Sequence, residues 1–115
     1  MLIQFCVENF KSFRGKAVLS LVPSKDVSHE NNVSEIASSE RVLNSIAIYG
    51  ANAAGKTNLF KALTSAILLI RMSNQRQKND MLSGIMPFIF DENMRSKPTC
   101  FEFVFETKGV KYIYG

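Results

Sequence analysis

The chain has 115 residues, and 14 Lys plus Arg against 10 Asp plus Glu give it a formal net charge of +4. With 46% apolar and 21% charged residues it is too apolar for intrinsic disorder and ordinary for a globular protein. The length fits one compact domain and leaves no room for a second catalytic one, and the charge falls short of the basic footprint of a dedicated nucleic-acid binder.

Residues 2–10 place Ile3, Phe5 and Val7 on one face, with Leu2 and Cys6 adding apolar character to the other. That pattern predicts a strand buried on much of both sides. An Arg14-Gly15 turn and a second alternating run, 16–22, complete a hairpin that Pro23 ends. Residues 24–40, rich in Ser, Asn and Glu, read as a surface loop with one short helical turn. Residues 42–49 read as a buried strand running directly into Gly50.

From Thr57 the period becomes helical. Leu59, Phe60, Leu63, Ala66, Ile67 and Ile70 form an apolar stripe that Leu68 and Leu69 widen, predicting a helix to about Met72. The polar stretch 73–80 fits its C-terminus and an exposed loop. After Pro87 come an apolar triplet and a turn-like segment. Phe101, Phe103 and Phe105 then share one face, Gly109 marks a turn, and Val110, Tyr112 and Tyr114 resume the alternation as a second hairpin.

Cys6 and Cys100 fit neither a disulfide framework nor a metal-ligand spacing, and read as free buried thiols of a reducing compartment. The N-terminal residues lack the basic and apolar regions of a signal peptide. The longest apolar stretch, Ala66 to Ile70, is far below the ~18 residues that span a bilayer. The expectation is a soluble, cytoplasmic protein.

Gly50-Ala51-Asn52-Ala53-Ala54-Gly55-Lys56-Thr57 fits the phosphate-binding loop pattern G-x-x-x-x-G-K-[ST]. Gly50 and Gly55 allow the backbone to wrap N–H groups around a phosphate. The amides and dipole of the following helix then face the anion. Lys56 supplies a full charge to the β- and γ-phosphates, and Thr57 can offer its hydroxyl to Mg²⁺. The pattern arises by chance in roughly 1 of 250 chains of this length. The expected strand before it and helix after it make an incidental Gly-rich turn a poor explanation.

Asn9-Phe10-Lys11-Ser12-Phe13, together with Gly50 through Leu59, resembles the ABC-type ATPases of the RecF, SMC and OLD group. The likeness is greatest to AAA-type ATP-binding proteins linked to DNA repair and phage defence. That group opens with a strand ending in an N-F-[KR]-S-F-like motif, and its P-loop reads G-x-N-x-[SAG]-G-K-[ST]-N-L. Pro87-Phe88-Ile89-Phe90 and the hairpin after it are similar to the element following the first helix. The resemblance implies an α/β P-loop NTPase lobe: a mixed sheet with hairpins around one P-loop strand and helix. Residues 1–115 would be the N-terminal lobe of an ABC/RecF-like ATPase domain, and incomplete. It implies ATP and Mg²⁺ as ligands, with Gly50 through Asn58 as the binding residues. Asn52 would face the phosphates, Asn58 would lie beside the α-phosphate, and Lys11 would stand where relatives carry a basic residue near the nucleotide. A solvated lysine at a strand end is the alternative for Lys11. It further implies a homodimer through ATP, coupled to DNA or to an effector nuclease.

Hydrolysis in that group needs a Walker B strand ending Asp-Glu, which the chain lacks. Asp91-Glu92 follows an apolar run, but Pro87 opens that run and polar residues follow, so an ordinary turn is the reading. Leu82-Ser83-Gly84 is similar to the L-S-G-G signature, but Ile85 replaces its second glycine and it lies too close to the P-loop. No catalytic residue is assigned, and the chain alone is expected to bind nucleotide weakly and hydrolyse it poorly or not at all. A GTPase would need an N-K-x-D motif that Gln77-Lys78-Asn79-Asp80 does not supply, and a nucleotide kinase needs more chain. A non-enzymatic module binding nucleic acid or a partner through an exposed sheet edge is the other alternative, and it predicts self-association.

His29, the sole histidine, reads as a surface residue. The aromatic residues of the last hairpin read as packing residues rather than a base-stacking platform. The charge surplus is local: residues 50–80 carry five cations against Asp80, while 1–49 and 81–115 are each balanced.

Overall fold

A computed structural model describes residues 1–25, 28–52, 54–75 and 84–115. They divide into two units, one of residues 1–6, 18–49 and 102–115, the other of residues 7–17 and 50–101.

The first unit is built on a sheet. Strands β1 (Leu2–Glu8), β2 (Ala17–Ser20), β5 (Cys100–Thr107) and β6 (Val110–Tyr114) run in the order β2-β1-β5-β6. The Met1 ammonium donates to the Glu106 carbonyl, and the Glu106 N–H donates back to Met1 at 2.8 Å. Such a reciprocal pair is the signature of an antiparallel ladder. Ile3, Phe5 and Cys6 are buried, so β1 has apolar residues inside on both faces, as its sequence predicts. Phe5 packs on Phe103 with ring centroids 4.9 Å apart. Between β5 and β6, Lys108 and Gly109 both have positive φ, 52° and 77°. Thr107 pairs with Val110 across them, the geometry of a two-residue hairpin. The Gly109 N–H donates to Glu106 Oε1 at 2.7 Å, which satisfies an otherwise buried carboxylate.

A further hairpin lies where the residue pattern of 24–40 predicts a loop. A 3₁₀ turn at Glu30–Asn32 leads into β3 (Val33–Glu35), which pairs antiparallel with β4 (Arg41–Leu43). Ile36 and Val42 from this hairpin join Ile3 in one buried cluster, with Leu21 and Val104 packed against it.

The strand expected over 42–49 does not form. Only Arg41–Leu43 is strand, and it pairs with β3. Residues 45–50 follow without a ladder, and Ile46, Ile48 and Tyr49 are 38%, 36% and 91% exposed. A strand with two apolar faces needs a neighbour along each edge and cover on both faces, and the described residues supply none here. In place of a ladder, Asn32 grips Ser45: its amide donates to the Ser45 carbonyl at 2.8 Å and its Oδ1 accepts the Ser45 N–H at 3.0 Å. The sheet is therefore made of hairpins, and the P-loop segment is not part of it.

The second unit contains helix α1 (Lys56–Met72), matching the expected span within a residue. Its stripe is only thinly covered. Ala62 and Ala66 are buried and Leu59, Leu63 and Leu69 half-buried, while Phe60, Ile67, Leu68 and Ile70 are exposed. A 3₁₀ turn, Ser73–Gln75, ends it. The short helix α2 (Glu92–Arg95) is capped by Asp91, whose carboxylate accepts the Asn93 N–H at 3.0 Å.

The turn after β1 lies at residues 10–13 rather than at Arg14-Gly15. Phe10 and Phe13 exchange backbone hydrogen bonds of 2.9 and 2.8 Å. Asn9, 1% exposed and at φ 51°, anchors it. Its amide donates to the carbonyls of Met94 and Lys97, both at 2.8 Å, and its Oδ1 accepts the Phe88 N–H at 2.9 Å. One short side chain thus ties the end of β1 to the segment 88–97. The expected burial of both thiols holds for Cys6 but not for Cys100, which is exposed.

Candidate functional site: the Gly50–Asn58 loop

The loop depends on two conformational facts. Gly55 caps α1 in the left-handed region, at φ 90° and ψ 0°. A side chain there would be strained, and its Cβ would sit 3.5 Å from Ser12 Oγ. Gly50 differs from the expectation: it has no positive φ, and a Cβ added to it would meet only Ala54 Cβ at an ordinary 3.7 Å. The requirement for glycine thus falls on Gly55. The Ala54 N–H donates to the Ala51 carbonyl at 3.2 Å, turning the loop.

Lys56 opens α1 and folds its side chain back over the loop. Its Nζ donates to the carbonyl oxygens of Gly50 and Ala51, both at 2.6 Å. The ammonium is therefore held at the loop mouth by neutral acceptors. An anionic ligand brings a full opposite charge and is a stronger partner for the same donor. The first amides of α1 lack intrahelical acceptors and carry the positive end of the helix dipole. Asn52, Ala54, Gly55, Lys56, Thr57 and Asn58 line a cleft of about 320 Å³. Thr57 is exposed there, with its hydroxyl available to a cation. Ala53 lies outside the described residues.

Asn58 connects this loop with the turn after β1. The Asn58 amide donates to Ser12 Oγ at 2.9 Å. Ser12 belongs to the N-F-K-S-F-like stretch but had no role assigned from sequence. Its position against both Gly55 and Asn58 is the reason for a small hydroxyl there. Lys11 adopts φ 50° and its N–H donates to the Met86 carbonyl at 2.8 Å. Its Nζ stands 5.6 Å from the centre of the Phe10 ring. Lys11 and Thr57 line a second cleft in this unit.

The other sequence candidates fall elsewhere. Asp91 caps α2 and accepts two hydrogen bonds from the Arg14 guanidinium, at 2.8 and 3.0 Å. Those bonds, and then the Asn93 N–H, hold its carboxyl below the ordinary value of 3.8. Asp91 is thus engaged in structure, and no cluster of metal-ligating side chains occurs among the described residues. Gln77-Lys78-Asn79-Asp80 and Leu82-Ser83 lie outside the described residues, and Gly84 has φ 87°. His29 is exposed. Of the last hairpin's aromatics, Phe103 is buried and Tyr112 and Tyr114 are 46% and 52% exposed, and Tyr112 stacks on Phe105 at 5.5 Å. Among the described residues no helix is long and apolar enough to cross a membrane.

No curated protein and no solved structure matches the chain. A family model described as "AAA domain, putative AbiEii toxin, Type IV TA system" matches residues 45–115, a stretch that begins just before the loop and runs through α1 and the β5–β6 hairpin. That is well over half of the sequence, and the chain belongs to this family of AAA-type domains.

Proposed function

We propose that the chain binds MgATP through Gly50–Asn58. Lys56 would leave its two carbonyl acceptors for the β- and γ-phosphates, and the free amides at the start of α1 would face the same oxygens. Thr57 would hold Mg²⁺, and Asn52 and Asn58 would flank the phosphates. The observation that carries this reading is the Gly55–Lys56 geometry. A left-handed glycine opens the helix amides, and the adjacent ammonium rests on neutral carbonyls beside them.

The finer reading is an N-terminal lobe of the RecF, SMC and OLD type, which the Asn9–Phe13 and Gly50–Leu59 motifs support. In that reading a second lobe supplies Walker B and signature residues, and two copies enclose ATP between them. Turnover in the complete protein would then be coupled to DNA or to an effector nuclease. The exposed Ile67, Leu68 and Ile70 on α1 support an additional packing partner for this helix.

Isothermal titration with MgATP tests the binding claim. Binding to the native chain that Lys56→Ala weakens by tenfold or more, about 1.4 kcal/mol, is the expected result. Equal binding by both chains contradicts it. Poor or no ATP turnover is expected from the chain by itself, since no carboxylate lines the loop cleft among the described residues.

A further inference from the structure

Ser12 stands at the joint between the turn after β1 and the first turn of α1. Its hydroxyl accepts the Asn58 side-chain amide at 2.9 Å. The same oxygen lies 3.5 Å from where a Cβ on Gly55 would sit. One exposed hydroxyl thus meets both the glycine that caps the helix and a residue of its first turn.

The turn that carries Ser12 is held against the preference of its own backbone. Phe10 and Phe13 exchange hydrogen bonds across it, and the Lys11 N–H donates to the Met86 carbonyl. The Thr99 hydroxyl donates to the Asn9 carbonyl at 2.7 Å. Asn9 and Lys11 both lie in the left-handed region, at φ 51° and 50°. Asparagine tolerates that region, but a lysine gains nothing locally from it. Such backbone persists only where the surroundings dictate it, and it gathers at functional sites. Here it fixes a serine hydroxyl against the phosphate loop.

The chemistry of Asn58 gives that hydroxyl a task. The first intrahelical bond of α1 runs from the Leu59 N–H to the Gly55 carbonyl, at 3.0 Å. The N–H groups of Lys56, Thr57 and Asn58 precede it and are the helix's donors for an anion. Asparagine carries an amide oxygen on a short stem, and such side chains turn back onto their own or neighbouring N–H groups. An Asn58 that did so would cap the helix and fill the place of a phosphate. We propose that Ser12 is a positioning residue of the phosphate loop, which holds Asn58 off the first amides of α1 and so keeps them open. The proposal rests on the phosphate-binding reading of Gly50–Asn58.

Amide hydrogen exchange of the ligand-free chain, then titration with MgATP and magnesium tripolyphosphate, tests this in Ser12→Ala, Asn58→Ala, the double variant and Lys56→Ala. Ser12→Ala should slow exchange of at least one amide among residues 56–58 about fivefold, the protection expected of one added hydrogen bond. It should weaken both ligands by about the same factor while the midpoint of urea unfolding stays where it is in the native chain. In the Asn58→Ala background, Ser12→Ala should change neither exchange nor affinity by more than about twofold, because the side chain it releases is gone. Unchanged or faster exchange in Ser12→Ala overturns the proposal, and this readout decides even where Asn58→Ala binds too weakly to titrate. An affinity loss that persists without Asn58, or that comes with an equal loss of stability, overturns it too. In those outcomes a Lys56→Ala chain that loses both ligands leaves the phosphate reading standing. Ligand binding untouched by Lys56→Ala overturns both.

Discussion

Both units bury apolar side chains, Val7, Phe10 and Met94 among them in the unit carrying the loop, but they differ in how their functional segments are held. In the sheet unit Ile3, Ile36 and Val42 form one buried cluster, and Phe5 and Phe103 pack as a cross-strand pair. In the unit carrying the loop, the long helix fully buries only two alanines. There the connections that shape the site are polar: Asn9 to the 88–97 segment, Asn58 to Ser12, and Lys56 to the loop carbonyls. Burial is non-directional and roughly proportional to area, whereas hydrogen bonds fix positions and can exchange partners. Apolar burial should therefore govern stability, and the polar connections of the loop should govern ligand binding.

Substitutions that separate the two properties can break this contrast. The largest stability loss is expected from Phe5→Ala, which empties a fully buried site beside Phe103. Urea unfolding should show a loss of about 3–5 kcal/mol, and a loss below about 1 kcal/mol would mean the sheet core is not what holds the chain.

Asn9→Ala comes next. It strands the carbonyls of Met94 and Lys97 and the N–H of Phe88, and replaces a residue that tolerates positive φ. A cost of about 2–4 kcal/mol is expected in the same assay. Gly55→Ala should cost about 1–2 kcal/mol of backbone strain, yet its effect on MgATP affinity should exceed its effect on stability. A variant as unstable as Phe5→Ala but with native affinity would reverse the contrast.

The smallest effect belongs to Asp91. Its carboxyl should titrate below the ordinary 3.8 by carbon-detected NMR and move up in Arg14→Ala, because the guanidinium is the leading cause of the shift. A depressed carboxyl contributes stability above its unfolded value and loses it as pH falls through the folded one. This contribution should therefore disappear only on acidification below about pH 4. A titration unchanged by Arg14→Ala would remove the ion pair from the account.

Much of this was legible in residue order. The helix over 56–72 followed from its 3.6-residue period, and the last hairpin followed from alternation broken at Gly109. The β3–β4 hairpin escaped because each strand has only three residues, too short for a period of two to stand out. The misread strand over 42–49 has a different cause. An apolar run records what a segment would bury, but pairing depends on neighbours that the run does not encode.

The site shows the same division. The loop motif marks Lys56 and Thr57 directly, because their chemistry is local. Ser12 gains its role from what stands beside it in the fold.

The central claim is that the loop unit is a nucleotide site whose lysine is parked on its own backbone. Thermal unfolding with and without MgATP, in the native chain and in Lys56→Ala, tests it most directly. At 100 times Kd the ligand should add about 2.7 kcal/mol to the stability of the native chain and far less to that of Lys56→Ala. Equal shifts in the two chains, or no shift in either, would contradict it.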